Sequence, residues 1–160
     1  MQIILDDLTG PEITQLLSEH MADMHSVSPP ESCHVLGIDS LRSPNVTFWS
    51  GWEDSQLLGC GALQELPDQA GEVKSMRTAE KHLRKGVAAK LLQHIVEEAK
   101  RRGYQQLLLE TGSMLEFKPA RELYRRFGFV ECPPFGSYVE DPNSVYFRLT
   151  LAARTNSYQS

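Results

Sequence analysis

The stretch Glu80-Lys-His-Leu-Arg-Lys-Gly-Val-Ala88 sets Lys81, His82, Arg84, Lys85 and a glycine directly before a segment with helical apolar spacing. A glycine at a helix entrance lets the backbone approach a ligand closely. The first-turn amides, here those of Val87, Ala88 and Ala89, have no carbonyl one turn earlier to bond. With the positive end of the helix dipole they form a seat for a phosphate-type anion. Arg84 and Lys85 add charge where a pyrophosphate would lie, and Ala88 is too small to obstruct it. The plainer alternative is a solvated basic loop. Neither Gly-x-x-x-x-Gly-Lys-Ser/Thr nor Gly-x-Gly-x-x-Gly occurs, so the anion is not marked as a nucleoside triphosphate or a dinucleotide.

Such a loop needs a strand before it and a helix behind it. Gln2–Asp6 reads as a first strand, and Thr9-Gly10-Pro11-Glu12 opens a helix with Ile13, Leu16, Leu17, Met21 and Met24 on one face. Ser26-Val-Ser-Pro-Pro30 breaks it, and Glu31–Leu41 reads as a second, short helix. Val46–Trp52 and Gln56–Leu63 are strands joined by a turn around Glu53-Asp54-Ser55, and Gly71–Thr78 is a further strand. Val87, Leu91, Leu92, Ile95, Val96 and Ala99 then line the apolar face of the most strongly periodic helix, which Arg101-Arg102-Gly103 closes. Leu107-Leu108-Leu109 within Gln106–Glu110 marks a strand buried on both faces. Pro119–Gly128 is a helix, and Phe129–Cys132 and Val145–Leu151 are closing strands. The order predicts an α/β (α+β) fold with a central mixed, mostly antiparallel sheet flanked by helices. One domain spans 1–151, and a polar C-terminal tail occupies 152–160.

A chain of 160 residues accommodates one domain of ordinary size. Its net charge of -5 argues against a nucleic-acid partner, and the basic loop in an acidic chain points to a small anion. No apolar run reaches membrane-spanning length, and MQIILDDLTG lacks the features of a secretion signal. Cys33, Cys60 and Cys132 show no metal-type spacing. The expectation is a cytoplasmic protein with reduced thiols, no bound metal and no membrane partner.

The 80–88 segment resembles the cofactor motif Arg/Gln-x-x-Gly-x-Gly/Ala of the GNAT superfamily of N-acetyltransferases, with Gly86 and Ala88 on its last two named positions. Downstream, Ala120-Arg-Glu-Leu-Tyr124-Arg-Arg-Phe-Gly128-Phe129 is similar to that family's Asn-x-x-Ala-x-x-Leu-Tyr-x-x-x-Gly-Phe segment. The resemblance covers Gln2 to about Leu151. It implies the GNAT fold, acetyl-CoA as co-substrate and transfer of its acetyl group to an amine. It places Met76, Arg77 and Thr78 beside the pantetheine arm, with Arg84, Lys85, Gly86, Val87, Ala88 and Ala89 at the pyrophosphate. Two positions depart from the pattern. Leu83 stands at the Arg/Gln position, so the nearest charge is Arg84. Phe117 stands at the Asn position, with Thr111 or Ser113 as stand-ins.

Acetyl transfer needs a neutral amine, a stabilised carbonyl oxygen and a proton for the departing thiolate. A backbone amide near Met76–Thr78 would serve the oxygen, as the resemblance implies. Tyr124 is the candidate general acid, since a phenol near pKa 10 keeps its proton at neutral pH; the alternative is a core tyrosine. Glu72, fourteen positions before Gly86, is the candidate base, with Lys74 on the same strand face to keep it ionised. Glu65, Glu110 and His34 are reserves. The acceptor, a small-molecule or protein amine, would meet residues 25–34, Trp49, Trp52 and the Phe135–Tyr138 loop. A homodimer stays open, and a non-catalytic acyl-CoA-binding module on the same fold is the competing reading.

Overall fold

The computed structural model describes residues 1–34 and 36–151, so the 152–160 tail lies outside the described residues. Seven strands form one sheet in the order β1-β2-β3-β4-β5-β7-β6. They are β1 Gln2–Leu5, β2 Val46–Glu53, β3 Gln56–Leu66, β4 Ala70–Thr78, β5 Gln106–Gly112, β6 Val130–Cys132 and β7 Ser144–Thr150. The helices are α1 Pro11–Val27, α2 Ile38–Leu41, α3 Val87–Arg101 and α4 Lys118–Arg126. Pairing is antiparallel for β1–β2, β2–β3, β5–β7 and β6–β7 and parallel for β4–β5. The α/β class and the mostly antiparallel sheet are therefore as the residue pattern indicated.

Local chemistry explains the elements. Helix α1 starts with Gly10 as its N-cap and Pro11 in the first turn, where a missing N–H costs nothing. The β2–β3 hairpin turns through Asp54 and Ser55, with φ of 51° and 67°, and two left-handed residues in a two-residue loop match the twist of the flanking strands. Gly103, with φ of 77°, stops α3. The helix expected over Glu31–Leu41 is a correction: a 3-10 turn at Pro30–Ser32 and the four-residue α2 take its place. Pro30 is tolerated in a first turn but Pro29 cannot continue α1, and Gly37 caps α2 afresh.

The chain groups into two compact units, Met1–Gln64 with Val73–Ile95, and Glu65–Glu72 with the chain from Val96 on. In the first, Leu8, Ile13, Leu16, Leu17 and Leu41 pack with Phe48, Cys60 and Ala62 of the sheet. A second cluster there joins Leu58, Val87 and Leu91, with Met76 against it. In the second unit the β4–β5 register runs from Ala70↔Gln106 to Glu72↔Leu108. Leu107, Leu109, Leu123, Tyr124, Phe129 and Phe147 are buried there. Among the described residues, no helix is long and apolar enough to cross a membrane.

Candidate active site

The first unit holds the candidate anion cradle, the loop before α3. Arg84 and Gly86 both adopt left-handed backbone, with φ of 65° and 78°, around Lys85. Left-handed residues interleaved with ordinary ones turn successive N–H groups inward and make a concave anion nest. Lys90 N donates to Gly86 O at 3.1 Å, so Gly86 is the last residue before the helical ladder and the amides of Val87, Ala88 and Ala89 face its open end. A Cβ added at Gly86 would meet no atom within 4 Å, so the backbone there is open to approach. Lys85 Nζ lies 3.1 Å from His82 Nδ1, while Leu83 is 54% exposed and contributes no charge. A left-handed arginine costs on the order of 1–2 kcal/mol relative to ordinary backbone; nothing in the sequence marks it.

Two glycines of β3 set the spacing behind the cradle. A Cβ on Gly59 would lie 2.7 Å from the Arg77 carbonyl oxygen and 2.9 Å from Val87 Cγ1. One on Gly61 would lie 2.7 Å from Met76 Sδ and 3.0 Å from Ile95 Cδ1. These two positions let the end of β4 and the start of α3 close onto the sheet. The Gly59-Cys60-Gly61 alternation, two glycines on one strand face, is the signal that sequence reading passed over.

On the other sheet face, the Arg77 side chain turns to α1 and pairs with Asp23 at 2.5 Å. His20, on the apolar stripe of α1, is 8% exposed. Its Nδ1 and Arg77 Nε are buried without a hydrogen-bond partner among the described residues. Burial first, then the Arg77 charge, lowers the His20 pKa from 6.5 to about 4, against a smaller opposing pull from Asp23. The unfolded chain therefore takes up a proton near pH 6.5 and the folded one only near 4, so His20's contribution is complete above 6.5 and falls away as pH drops through that window. At pH 5 the loss is on the order of 2 kcal/mol, a melting shift of roughly 5 °C for a domain of this size. His20→Leu is expected to shrink the melting-temperature difference between pH 7.5 and pH 5 by about that amount; an undiminished difference would show that His20 does not titrate this way.

The second unit holds the candidate base Glu72 and the candidate acid Tyr124. Glu72 is 5% exposed and accepts a hydrogen bond from Tyr138 Oη at 2.6 Å. Glu110 accepts from Ser144 Oγ at 2.8 Å. Tyr124 is 7% exposed, its ring edge-on to Phe129 at 5.7 Å and tilted against Phe147 at 6.1 Å. Burial and then the Glu110 charge raise its pKa to about 12. The phenol is thus held protonated in a packed setting, and the core and acid readings of Tyr124 share one structure. Glu110, a reserve by sequence, raises the pKa of Tyr124, Tyr138 and Tyr146 alike.

The departure at Phe117 has a packing reason. Its ring lies against Gly112, where any Cβ would overlap it, and Arg121 Nη1 donates to the carbonyls of Gly112 and Met114 at 2.7 and 2.9 Å. Ser113, one of the two stand-ins, donates its hydroxyl to Pro142 O at 2.7 Å, tying the end of β5 to the loop before β7. Cys33, Cys60 and Cys132 are free thiols, and Cys60 Sγ, fully buried, donates to Ser75 O at 3.3 Å. Among the described residues, no group of His, Cys, Asp and Glu has the arrangement of a metal site.

The family model described as Acetyltransferase (GNAT) family matches residues 12–129. The chain is 59% identical over 151 residues to a Bacillus subtilis (strain 168) protein named Uncharacterized N-acetyltransferase YsnE, covering 94% of this chain and all of that one. A solved acetyltransferase of Streptococcus agalactiae superposes with a TM-score of 0.72 at 17% identity, over 94% of this chain and 98% of the other. A GNAT family acetyltransferase of Elizabethkingia anophelis, solved with acetyl-CoA bound, does so with a TM-score of 0.66 at 18% identity, over 94% and 97%.

Proposed function

Because the chain belongs to the GNAT acetyltransferase family, we propose that it is an acetyl-CoA-dependent N-acetyltransferase whose amine acceptor attacks the thioester directly. Acetyl-CoA is the co-substrate of this family, and the observation that carries its placement here is the Arg84–Gly86 nest opening onto α3. In this reading Val87, Ala88 and Ala89 give the pyrophosphate their amides, Arg84 and Lys85 give it charge, and the backbone of Met76, Arg77 and Thr78 lies beside the pantetheine arm. A β4 amide stabilises the carbonyl oxygen as it gains charge. The new bond joins the amine nitrogen to the acetyl carbon, and the carbon–sulfur bond breaks. Tyr124 gives its proton to the departing sulfur, and Glu72 takes one from the nitrogen. With Glu72 so deeply buried, transfer through one water is the route the site favours. Residues 1–151 act as one acetyltransferase domain in the cytoplasm, on a small-molecule or protein amine.

The test is a panel of amino acids, aliphatic diamines, aminoglycosides and N-terminal peptides, with acetyl-CoA turnover followed by thiol release and the product weighed by mass spectrometry. The expected result is thiol release dependent on one amine class, with a product 42 Da heavier, the mass that replacing an amine hydrogen with an acetyl group adds. Stabilisation of the fold by acetyl-CoA without thiol release from any member would leave a binding module and overturn the catalytic reading.

A further inference from the structure

The loop between β6 and β7 carries Tyr138, whose hydroxyl donates to Glu72 at 2.6 Å across 66 positions of sequence. The loop is built to hold that phenol still. Tyr138 N donates to Phe135 O at 3.0 Å, and the Phe135 ring stands edge-on to Tyr138 at 5.0 Å. Tyr146 of β7 lies 5.5 Å from the same ring and donates its own hydroxyl to Val139 O at 2.8 Å. Burial, and then the charge of Glu72, push the Tyr138 pKa far above the ordinary tyrosine range. The phenol therefore remains a donor wherever the protein is folded.

We propose that Tyr138 is a positioning residue of the acetyl transfer, acting through its hydroxyl to fix the rotamer of the Glu72 carboxylate. The inference rests on the reading of Glu72 as the base. A carboxylate that must accept a proton from an amine needs one orientation, and a donor held rigidly against one of its oxygens supplies it. The groups facing Tyr138 besides Glu72 are Glu110 of β5 and Tyr146 of β7, and Tyr146 in turn faces Asp141 and Glu140. These carboxylates disfavour a further negative charge nearby. Replacing the phenol removes one donor that holds the Glu72 carboxylate in place.

The test is a pair of variants, Tyr138→Phe and Glu72→Gln, with their double mutant, assayed from pH 5.5 to 9.5 with the best-used amine of the panel. In Tyr138→Phe kcat is expected to fall about tenfold across this pH range, with KM for acetyl-CoA unchanged, because the carboxylate loses the contact that orients it. Glu72→Gln should lose about 100-fold or more in kcat, and adding Tyr138→Phe to it should cost nothing further, because a residue acting through Glu72 has nothing left to act on. An unchanged kcat in Tyr138→Phe, or the same extra cost in both backgrounds, overturns the positioning role while leaving Glu72 as base. Near-wild-type activity of Glu72→Gln removes the base itself and the proposal with it.

Discussion

Gly86→Glu should bind acetyl-CoA about 100-fold more weakly than wild type by calorimetry, with the fold intact. Two separable effects contribute. The backbone at Gly86 has φ of 78°, which costs a residue with a Cβ on the order of 1–2 kcal/mol. The carboxylate then stands at the positive end of α3, in the place of the anion it must repel. Crowding is not among the causes, since a Cβ there meets nothing within 4 Å. This allows a graded series. Gly86→Asn, which tolerates left-handed backbone, should bind nearly as well as wild type, and Gly86→Ala should show the strain alone. Gly86→Glu should add the charge effect, strongest at low salt. Unchanged affinity in a folded Gly86→Glu protein would place the pyrophosphate elsewhere.

Tyr124→Phe is expected to lower kcat by about 100-fold, the scale of a lost general acid, while acetyl-CoA affinity holds. Phenylalanine keeps the ring against Phe129 and Phe147, so packing is largely preserved and the melting temperature should move little. With its pKa raised to about 12 by burial and Glu110, the protonated form persists further into alkali than an ordinary tyrosine's. The wild-type kcat profile should accordingly show no loss assignable to this phenol up to pH 10. If kcat is unaltered where chemistry limits the rate, Tyr124 is a core residue and the thiolate takes its proton from another source.

The sequence made the loop and helix start at α3 legible because their signals are local. A glycine, a basic pair and a periodic helix follow one another within a few turns of chain, and α3 begins at Val87 as that pattern requires. The turn at Asp54-Ser55 and the stop at Gly103 are local in the same way. What escaped was set by distant parts of the fold. His20 completes the buried stripe of α1 where Met21 and Met24 were expected, because a histidine is not counted as apolar until its partners are known. Tyr138 could be read only as part of a loop, since its tie to Glu72 spans 66 residues. Ser113, a stand-in with Thr111 for the missing Asn, also has a long-range tie that its position in the chain does not show, its hydroxyl donating to the Pro142 carbonyl. The region 31–41 failed for a different reason: Pro29 and Pro30 just before it favour a turn, Gly37 interrupts it, and no periodic stripe arbitrates between turn and helix.

The glycine pair of β3 changes how loss-of-function variants of this enzyme should be sorted. A substitution at Gly59 must push either the Arg77 carbonyl or Val87, which border the proposed seat. One at Gly61 must displace Met76. In an activity screen both positions would score with the reacting groups. Their signature is a raised KM for acetyl-CoA together with a lowered melting point, where a true chemical residue lowers kcat alone.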